Sequence, residues 1–256
     1  MRPYMSGSPK IGAGGLPPMS AIDTLLDPFL SLLYPPRCLV CRVLGRSGLC
    51  AACLARIVPV APPQCPTCGQ TIPIDAGGCF HCRLRRPAYD RARALGAYEG
   101  VLRAAIHQFK YRDHPQLAQV LGHHLAVFAR ENAADLNGLH FDALLPVPIH
   151  RTRRRLRGYN QSERLARVVA GELGLPLLTD ALVRIRATRP QVGLSSEARR
   201  TNLSGAFAVR SPEAVLGKTL LLLDDVVTTG SSLYECTLVL KASGAKAVYA
   251  LTLAAG

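Results

Sequence analysis

The stretch Thr219-Leu-Leu-Leu-Leu-Asp-Asp-Val-Val-Thr-Thr-Gly-Ser-Ser-Leu233 decides the fold. Four consecutive leucines, bounded by Gly217 and two aspartates, read as a strand buried on both faces, the pattern of a parallel sheet covered by helices. From Ser231 to Ser243 the spacing becomes helical, with Leu233, Cys236, Thr237 and Leu240 in phase and Gly244 as the stop. The polar residues between are therefore the turn from a strand's C-terminal end into a helix N-terminus, where open α/β sheets bind ligands. Thr228, Thr229, Gly230, Ser231 and Ser232 offer hydroxyls and backbone N–H groups there, and the helix dipole favours an anion. Asp224 and Asp225 cannot bind phosphate directly, but they suit sugar hydroxyls or a Mg²⁺ ion. A phosphate cradle beside a carboxylate pair describes a ribose 5-phosphate site. Gly217-Lys218-Thr219 imitates the end of a P-loop, but Pro212 stands where that motif's first glycine belongs, and the tripeptide precedes its strand.

Phe141-Asp-Ala-Leu-Leu-Pro-Val-Pro148 reads as a second buried strand, followed by His150 and then Arg151, Arg153, Arg154, Arg155 and Arg157. Asn160 and Glu163 fit the cap of a helix with Leu165, Val168, Val169 and Leu173 on one face. Arg151 to Arg167 holds seven arginines against one acid. A solvated basic face is the plain reading. The position after a strand end favours anion contact instead, and guanidinium forks suit pyrophosphate and nucleic acid alike. Phe109-Lys110-Tyr111-Arg112 closes a helix that buries Val101, Leu102, Ala105, Ile106 and Phe109. Strands at 92–97, 143–147, 220–223 and 247–253 alternate with helices, which predicts a parallel α/β sheet.

Nine cysteines are present, eight of them in four Cys-x-x-Cys pairs: Cys38/Cys41, Cys50/Cys53, Cys65/Cys68 and Cys79/Cys82. Two such knuckles complete a tetrahedron of thiolates around one Zn²⁺, so two structural zinc ribbons are expected. Sequential pairing is the simplest scheme, and cross-braced pairing stays open. Four thiolates also suit an iron–sulfur cluster. Disulfides fit poorly, because no export signal is visible and a reducing compartment is expected. With thiolates at every position the metal supports structure, in a segment too small to hold a core alone. Cys236 reads as a buried small apolar residue, and His81 as a bystander between ligands.

The 256 residues suffice for a substantial core, and 48% hydrophobic against 19% charged residues exclude a mainly disordered chain. No apolar run approaches the roughly 18 residues of a membrane span. Lys plus Arg number 31 against 17 Asp plus Glu, a formal charge of +14, which points to phosphate-bearing partners. Residues 1–20 read as a disordered tail, and 21–36 as a short helix interrupted by Pro28.

The Asp224–Ser232 run resembles the phosphoribosyl pyrophosphate motif of type I phosphoribosyltransferases: hydrophobic strand, two acids, two apolar residues, Thr-Thr-Gly and a hydroxyl residue. Together with Pro35-Pro36-Arg37-Cys38, Lys110-Tyr111-Arg112, Val147-Pro148, Arg157-Gly158-Tyr159-Asn160-Gln161, Thr188-Arg189-Pro190-Gln191 and Arg199-Arg200-Thr201-Asn202, it resembles the ComF family. That resemblance implies a double zinc ribbon over 37–87 as a separate module and a phosphoribosyltransferase-like parallel-sheet domain over 88–256. It implies that Asp224 and Asp225 meet ribose hydroxyls as the catalytic pair, with Thr228, Thr229, Gly230, Ser231 and Ser232 on the 5-phosphate. Val147, Pro148 and His150 would form the pyrophosphate-side loop, Arg189 and Gln191 a mobile loop, and Lys110 and Arg157 further ligand contacts. Zn²⁺ would be structural, and Mg²⁺ would accompany phosphoribosyl pyrophosphate or a nucleotide. The family is linked to DNA uptake in natural transformation, with single-stranded DNA and a helicase as partners in the cytoplasm. The alternative is a non-catalytic DNA- or partner-binding protein on a retired phosphoribosyltransferase fold.

Overall fold

Each half of the cysteine-rich segment ends in a short helix carrying a cysteine: α1 (Ala51–Leu54) holds Cys53 and α2 (Phe80–Leu84) holds Cys82. The α/β domain follows as β1 (Arg91–Ala97), α3 (Gly100–Tyr111), α4 (Leu117–Glu131), β2 (Ala143–Pro146), α5 (Arg151–Arg157), α6 (Gln161–Leu173), β3 (Leu182–Arg184), β4 (Phe207–Val209), β5 (Thr219–Val227), α7 (Ser231–Ala242) and β6 (Ala247–Ala255). The computed structural model describes residues 36–45, 48–73, 79–111, 114–188 and 201–256, without the side chain of His81. The expected tail, most of the first helix, and Arg112, Arg189, Gln191, Arg199 and Arg200 lie outside those residues.

The leucine run sits inside a four-stranded sheet of order β1-β6-β5-β2, with every pairing parallel. Leu220 to Leu223 have no exposed surface, because both faces are covered. Leu221 and Leu223 join the core formed with α3, α4 and α6; Leu220 and Leu222 join the one formed with α7, β3 and β4. The antiparallel pair β3-β4 stands apart from the main sheet.

The leucine strand was expected to end at Leu223, yet β5 runs on to Val227. Strand β6 continues beside it, pairing Val226 with Ala254 and Val227 with Ala255. Asp224 and Asp225 are thus strand residues, held by the ladder. The arginine run is helical, ending at Gly158 in the left-handed conformation (φ 76°), which glycine adopts without backbone strain.

The cysteine region was expected to stand as a separate module. It shares the hydrophobic core of the α/β domain instead, and Arg37–Gly256 form one compact unit. The reason is size: a ribbon has too few apolar side chains to close a core by itself. Backbone bonds fasten it to β1, with Ala97 N donating to Val58 O (2.8 Å) and Ala92 N to Thr67 O (2.7 Å). Gly69 follows the second Cys of its knuckle with φ +70°, and a Cβ there would lie 2.7 Å from Ala92 O.

Gly69→Ala therefore meets both backbone strain and a clash with β1. We expect it to cost about 2–4 kcal/mol and lower the thermal midpoint by roughly 5–10 °C. Gly171→Ala, in α6 with nothing within 4 Å of its added Cβ, should leave the midpoint unchanged or raise it. Calorimetric melting of the two variants beside the parent chain checks both signs.

Candidate functional site

β2 pairs parallel with β5, its last residue Pro146 beside Leu223, so both strands run out toward the same edge of the sheet. After β5 the chain passes through Thr228 and Thr229 into Gly230, which takes a left-handed conformation (φ 68°) and caps α7 without a side chain. The N–H groups of the first turn of α7 are therefore open toward the cleft. Thr229 Oγ1 and Ser231 Oγ lie 2.8 Å apart at its mouth. Asp224 and the unbroken run from Val226 to Leu233 line this cleft.

The two aspartates have different partners. Asp225 is buried, and its Oδ1 meets Lys110 Nζ at 2.8 Å. Burial alone would lower the Lys110 ammonium, but the Asp225 and Asp224 carboxylates outweigh it and raise it. Asp224 Oδ1 accepts from Ser162 Oγ (2.9 Å) and from Asp225 N (2.9 Å). Burial, then repulsion from Asp225, pushes its carboxyl up to about 7 against the opposing pull of these hydrogen bonds and Lys110.

Residues 157–162 lock helix α6 to everything around it. Tyr159 Oη donates to Phe109 O (2.5 Å) in α3, one residue before Lys110. Asn160 Nδ2 donates to Val147 O (3.1 Å) after β2, while Asn160 Oδ1 accepts from Ser162 N (3.2 Å) and caps α6. Glu163 was expected to complete the cap; it turns instead to Arg167 (2.7 Å) and Arg154 (3.4 Å). Arg157 donates to Gln161 Oε1 (3.3 Å) and lies 5.0 Å from the Tyr111 ring centroid. Gln161 is only 1% exposed, and its Nε2 has no partner among the described residues.

Val147 and Pro148 lead from β2 toward α5, where His150 is the cap, its Nδ1 accepting from Thr152 N at 3.3 Å. Desolvation and the charges of Arg151, Arg184 and Arg153 lower the His150 imidazolium. Burial and Arg153 likewise lower Arg184 to about 10 against the pull of Cys236 and Asp224. His150, Arg153 and Arg184 thus lie close enough for their charges to repel one another, and Arg184 also feels the Asp224 carboxylate.

The structure brings together Asp224, Asp225, Lys110 and the cradle from Thr228 to Ser232, with Val147 tied to the same junction through Asn160. Arg157 stands back from the carboxylates, against Tyr111 and Gln161. Arg189 and Gln191 lie outside the described residues. Sequence reasoning assigned no role to Ser162 or Arg184. Ser162, two residues after a capping asparagine, carried a faint signal; Arg184, in a three-residue strand, carried none.

The eight paired cysteines gather into two sets, Cys38/Cys41/Cys50/Cys53 and Cys65/Cys68/Cys79/Cys82, each with its sulfurs within 4.8 Å of one another. This is the sequential scheme, and cross-bracing does not occur. Nearest cross-pair sulfurs lie 3.7 and 3.6 Å apart in the first set and 3.7 and 3.4 Å in the second. Tetrahedral Zn²⁺ with bonds of about 2.3 Å sets sulfurs about 3.8 Å apart, and a disulfide needs about 2 Å, so the sets fit zinc. The residue after the second cysteine of each leading knuckle is left-handed, Arg42 (φ 66°) and Gly69 (φ 70°). Cys236 is fully buried in α7.

Comparison with known proteins matches residues 29–83 to the double zinc ribbon domain. The chain is similar to competence protein F of Haemophilus influenzae, 31% identical over 83% of this chain and 93% of that protein. It is similar to the DNA utilization protein YhgH of Escherichia coli K12, 33% identical over 85% and 96%. Competence protein ComFC of Bacillus subtilis is 24% identical over 73% and 75%. Among solved structures, the allosteric regulatory enzyme of purine biosynthesis aligns with 57% of this chain and 29% of its own, at 18% identity and TM-score 0.40. HGPRT-ase from Leishmania tarentolae in complex with GMP aligns with 54% and 66%, at 15% identity and TM-score 0.30. A double zinc ribbon precedes a parallel α/β domain, as the motifs lead one to expect.

Two zinc ions per chain should be found by elemental analysis of the purified protein. Cys68→Ser, which removes a buried member of the second set, should leave one.

Proposed function

The chain belongs to the family of competence protein F, and from that premise we propose that its strand-end cleft binds phosphoribosyl pyrophosphate together with Mg²⁺. One observation carries this reading: the Asp224 carboxylate and the uncapped helix N-terminus share one cleft, Asp224 lining it with Thr228 to Ser232. The open N–H groups and hydroxyls of the cradle suit a sugar 5-phosphate. Asp224 and Asp225 suit the ribose hydroxyls, and Lys110 holds the Asp225 carboxylate in place from α3. Their oxygens also fit a hard cation, so Mg²⁺ would sit with Asp224 and the ligand's pyrophosphate, neutralising charge on the leaving group. Arg184, whose charge interacts with Asp224, adds positive potential. Transfer of the phosphoribosyl group to a nitrogen acceptor is the enzymatic form of this reading; catalysis would then rest on positioning and electrostatics.

A second reading, single-stranded DNA binding without turnover, is favoured by α5. This helix buries none of its residues, carries five arginines and presents Leu156 at 83% exposure, next to Arg157 over the half-exposed Tyr111. Arginine with an exposed ring suits a flexible phosphate backbone and its bases. In this form the protein works with incoming DNA in the cytoplasm beside a helicase. DNA affinity that falls steeply with salt supports it, and no affinity at low salt removes it.

Calorimetric titration of phosphoribosyl pyrophosphate with Mg²⁺ should show saturable binding by the zinc-loaded chain. Asp224→Asn with Asp225→Asn should weaken it by roughly a hundredfold while zinc content is unchanged. Unaltered affinity in the double variant overturns the assignment.

The raised Asp224 carboxyl gives the site a pH dependence. Below about 7 the free site holds a proton on Asp224 that a bound cation must displace. Affinity should therefore be level above pH 8 and fall by up to about tenfold per unit below 7. Asp224→Asn should flatten that profile.

A further inference from the structure

The two cysteine sets are not equivalent with respect to the cleft. Cys38 and Cys53 of the first set belong to the core beneath α3, α4 and α6. Cys65, Cys68 and Cys79 of the second belong to the other core, with Val227 at the end of β5 and Leu233, Cys236 and Leu240 of α7. The second set thus shares a core with the helix whose N-terminus forms the cradle.

Two side chains extend that link to the cradle itself. Arg85 lies three residues beyond Cys82. Its guanidinium sits 3.2 Å from the ring centroid of Tyr234, and its Nη2 is 3.2 Å from Glu235 Oε1. Tyr234 and Glu235 lie one turn after Ser231 and Ser232. Glu235 is 7% exposed, and its other oxygen accepts from Gly205 N at 3.4 Å. A buried carboxylate so near the start of a helix opposes an anion bound there, and Arg85 offsets that charge. Tyr89, 6% exposed and in the same core as the second set, supplies the other side chain. Its hydroxyl lies 3.4 Å from the position of a Cβ on Gly230, behind the cradle's turn.

We propose that metal at Cys65, Cys68, Cys79 and Cys82, and not at the first set, governs the affinity of the strand-end cradle for its anion, with Arg85 and Tyr89 as positioning residues. The proposal rests on the reading of the cleft as a phosphoribosyl pyrophosphate site. Helix α2 has five residues, too few to persist without the metal. With the metal bound, Cys82 fixes α2 and so delivers Arg85 to α7. Without it, the Glu235 carboxylate, one turn into α7, loses its guanidinium partner, and Gly230 loses its support. Coupling of this kind is reciprocal: a ligand in the cradle tightens the second metal site by the factor by which that metal tightens the ligand.

The test measures zinc transfer from the full two-zinc chain to a chromogenic chelator, at constant Mg²⁺, with and without saturating phosphoribosyl pyrophosphate. The ligand should slow release of one of the two ions at least tenfold. Cys50→Ser, which disables the first set, should keep the protected ion and bind the ligand within about twofold of the parent. Arg85→Ala should retain two zinc ions but lose the protection and bind the ligand at least tenfold more weakly. Adding Glu235→Gln to Arg85→Ala should recover part of that affinity, which a merely structural defect would not do. Calorimetric binding by the parent chain with both ions released equally fast, or with protection confined to the first set, overturns the coupling and leaves the site reading intact. No calorimetric binding by the zinc-loaded parent overturns both.

Discussion

Parallel pairing of β5 with β2 on one side and β6 on the other is the constraint on which the site depends. Parallel strands leave the sheet at the same edge, so the turn after β5 and the loop after β2 emerge at that edge without any contact of their own. Two further consequences follow from the sheet being covered on both faces. The strand interior must be apolar, which the leucines satisfy. A charged residue on such a strand is tolerated only where the ladder nears its end and a partner is at hand. Asp224 and Asp225 stand in that last stretch, and each has its partner, Ser162 from α6 and Lys110 from α3.

The difference between those partners divides the work of two adjacent carboxylates. Unpaired, a buried carboxylate costs several kcal/mol, and two side by side cost more. Lys110 pairs with Asp225 at 2.8 Å. Asp224 receives a neutral hydroxyl and a backbone N–H, a weaker compensation, so the strain of the pair appears on Asp224 as a raised carboxyl. The residue lining the cleft is therefore the one whose charge is incompletely balanced, and a bound cation would relieve it. Tyr159, Asn160 and Ser162 keep this arrangement in register by tying α3, the exit of β2 and β5 to the first turn of α6.

Much of this was legible in the chain because its signals are local. Four leucines, a carboxylate pair and Thr-Thr-Gly-Ser-Ser within fourteen residues report burial, charge and helix capping in order along the backbone. Cys-x-x-Cys pairs report a metal site because the ligand geometry is itself local. Strand ends were less legible. Propensity places a strand end at two aspartates, whereas the ladder to β6 carries β5 four residues further. The arginine run reads as a loop by position but carries a helix between His150 and Gly158. Pairs such as Lys110–Asp225 and Arg85–Glu235 join residues more than a hundred positions apart. Nothing along the sequence marks them, because what joins them is the packing of α3 and of the second ribbon onto the sheet.

That packing also explains why the zinc ribbons do not stand apart. A metal can fix the turns of a ribbon, but it adds little apolar surface, so the outer side of each knuckle needs something to rest on. Here it is β1 and the two cores of the α/β domain. The Thr67 and Val58 carbonyls take hydrogen bonds from successive parts of β1, and Gly69 is small enough to let the knuckle close on Ala92. In return, the edge strand β1 gains hydrogen-bond partners on its free side, where an unpaired ladder would otherwise be exposed. The ribbon thereby supports the sheet edge, and through α2 and Arg85 its reach extends past that edge to α7. Metal, sheet and cleft are then parts of one mechanical unit: the zinc fixes a short helix, the helix places a guanidinium, and the guanidinium quiets a carboxylate one turn from where an anion would bind.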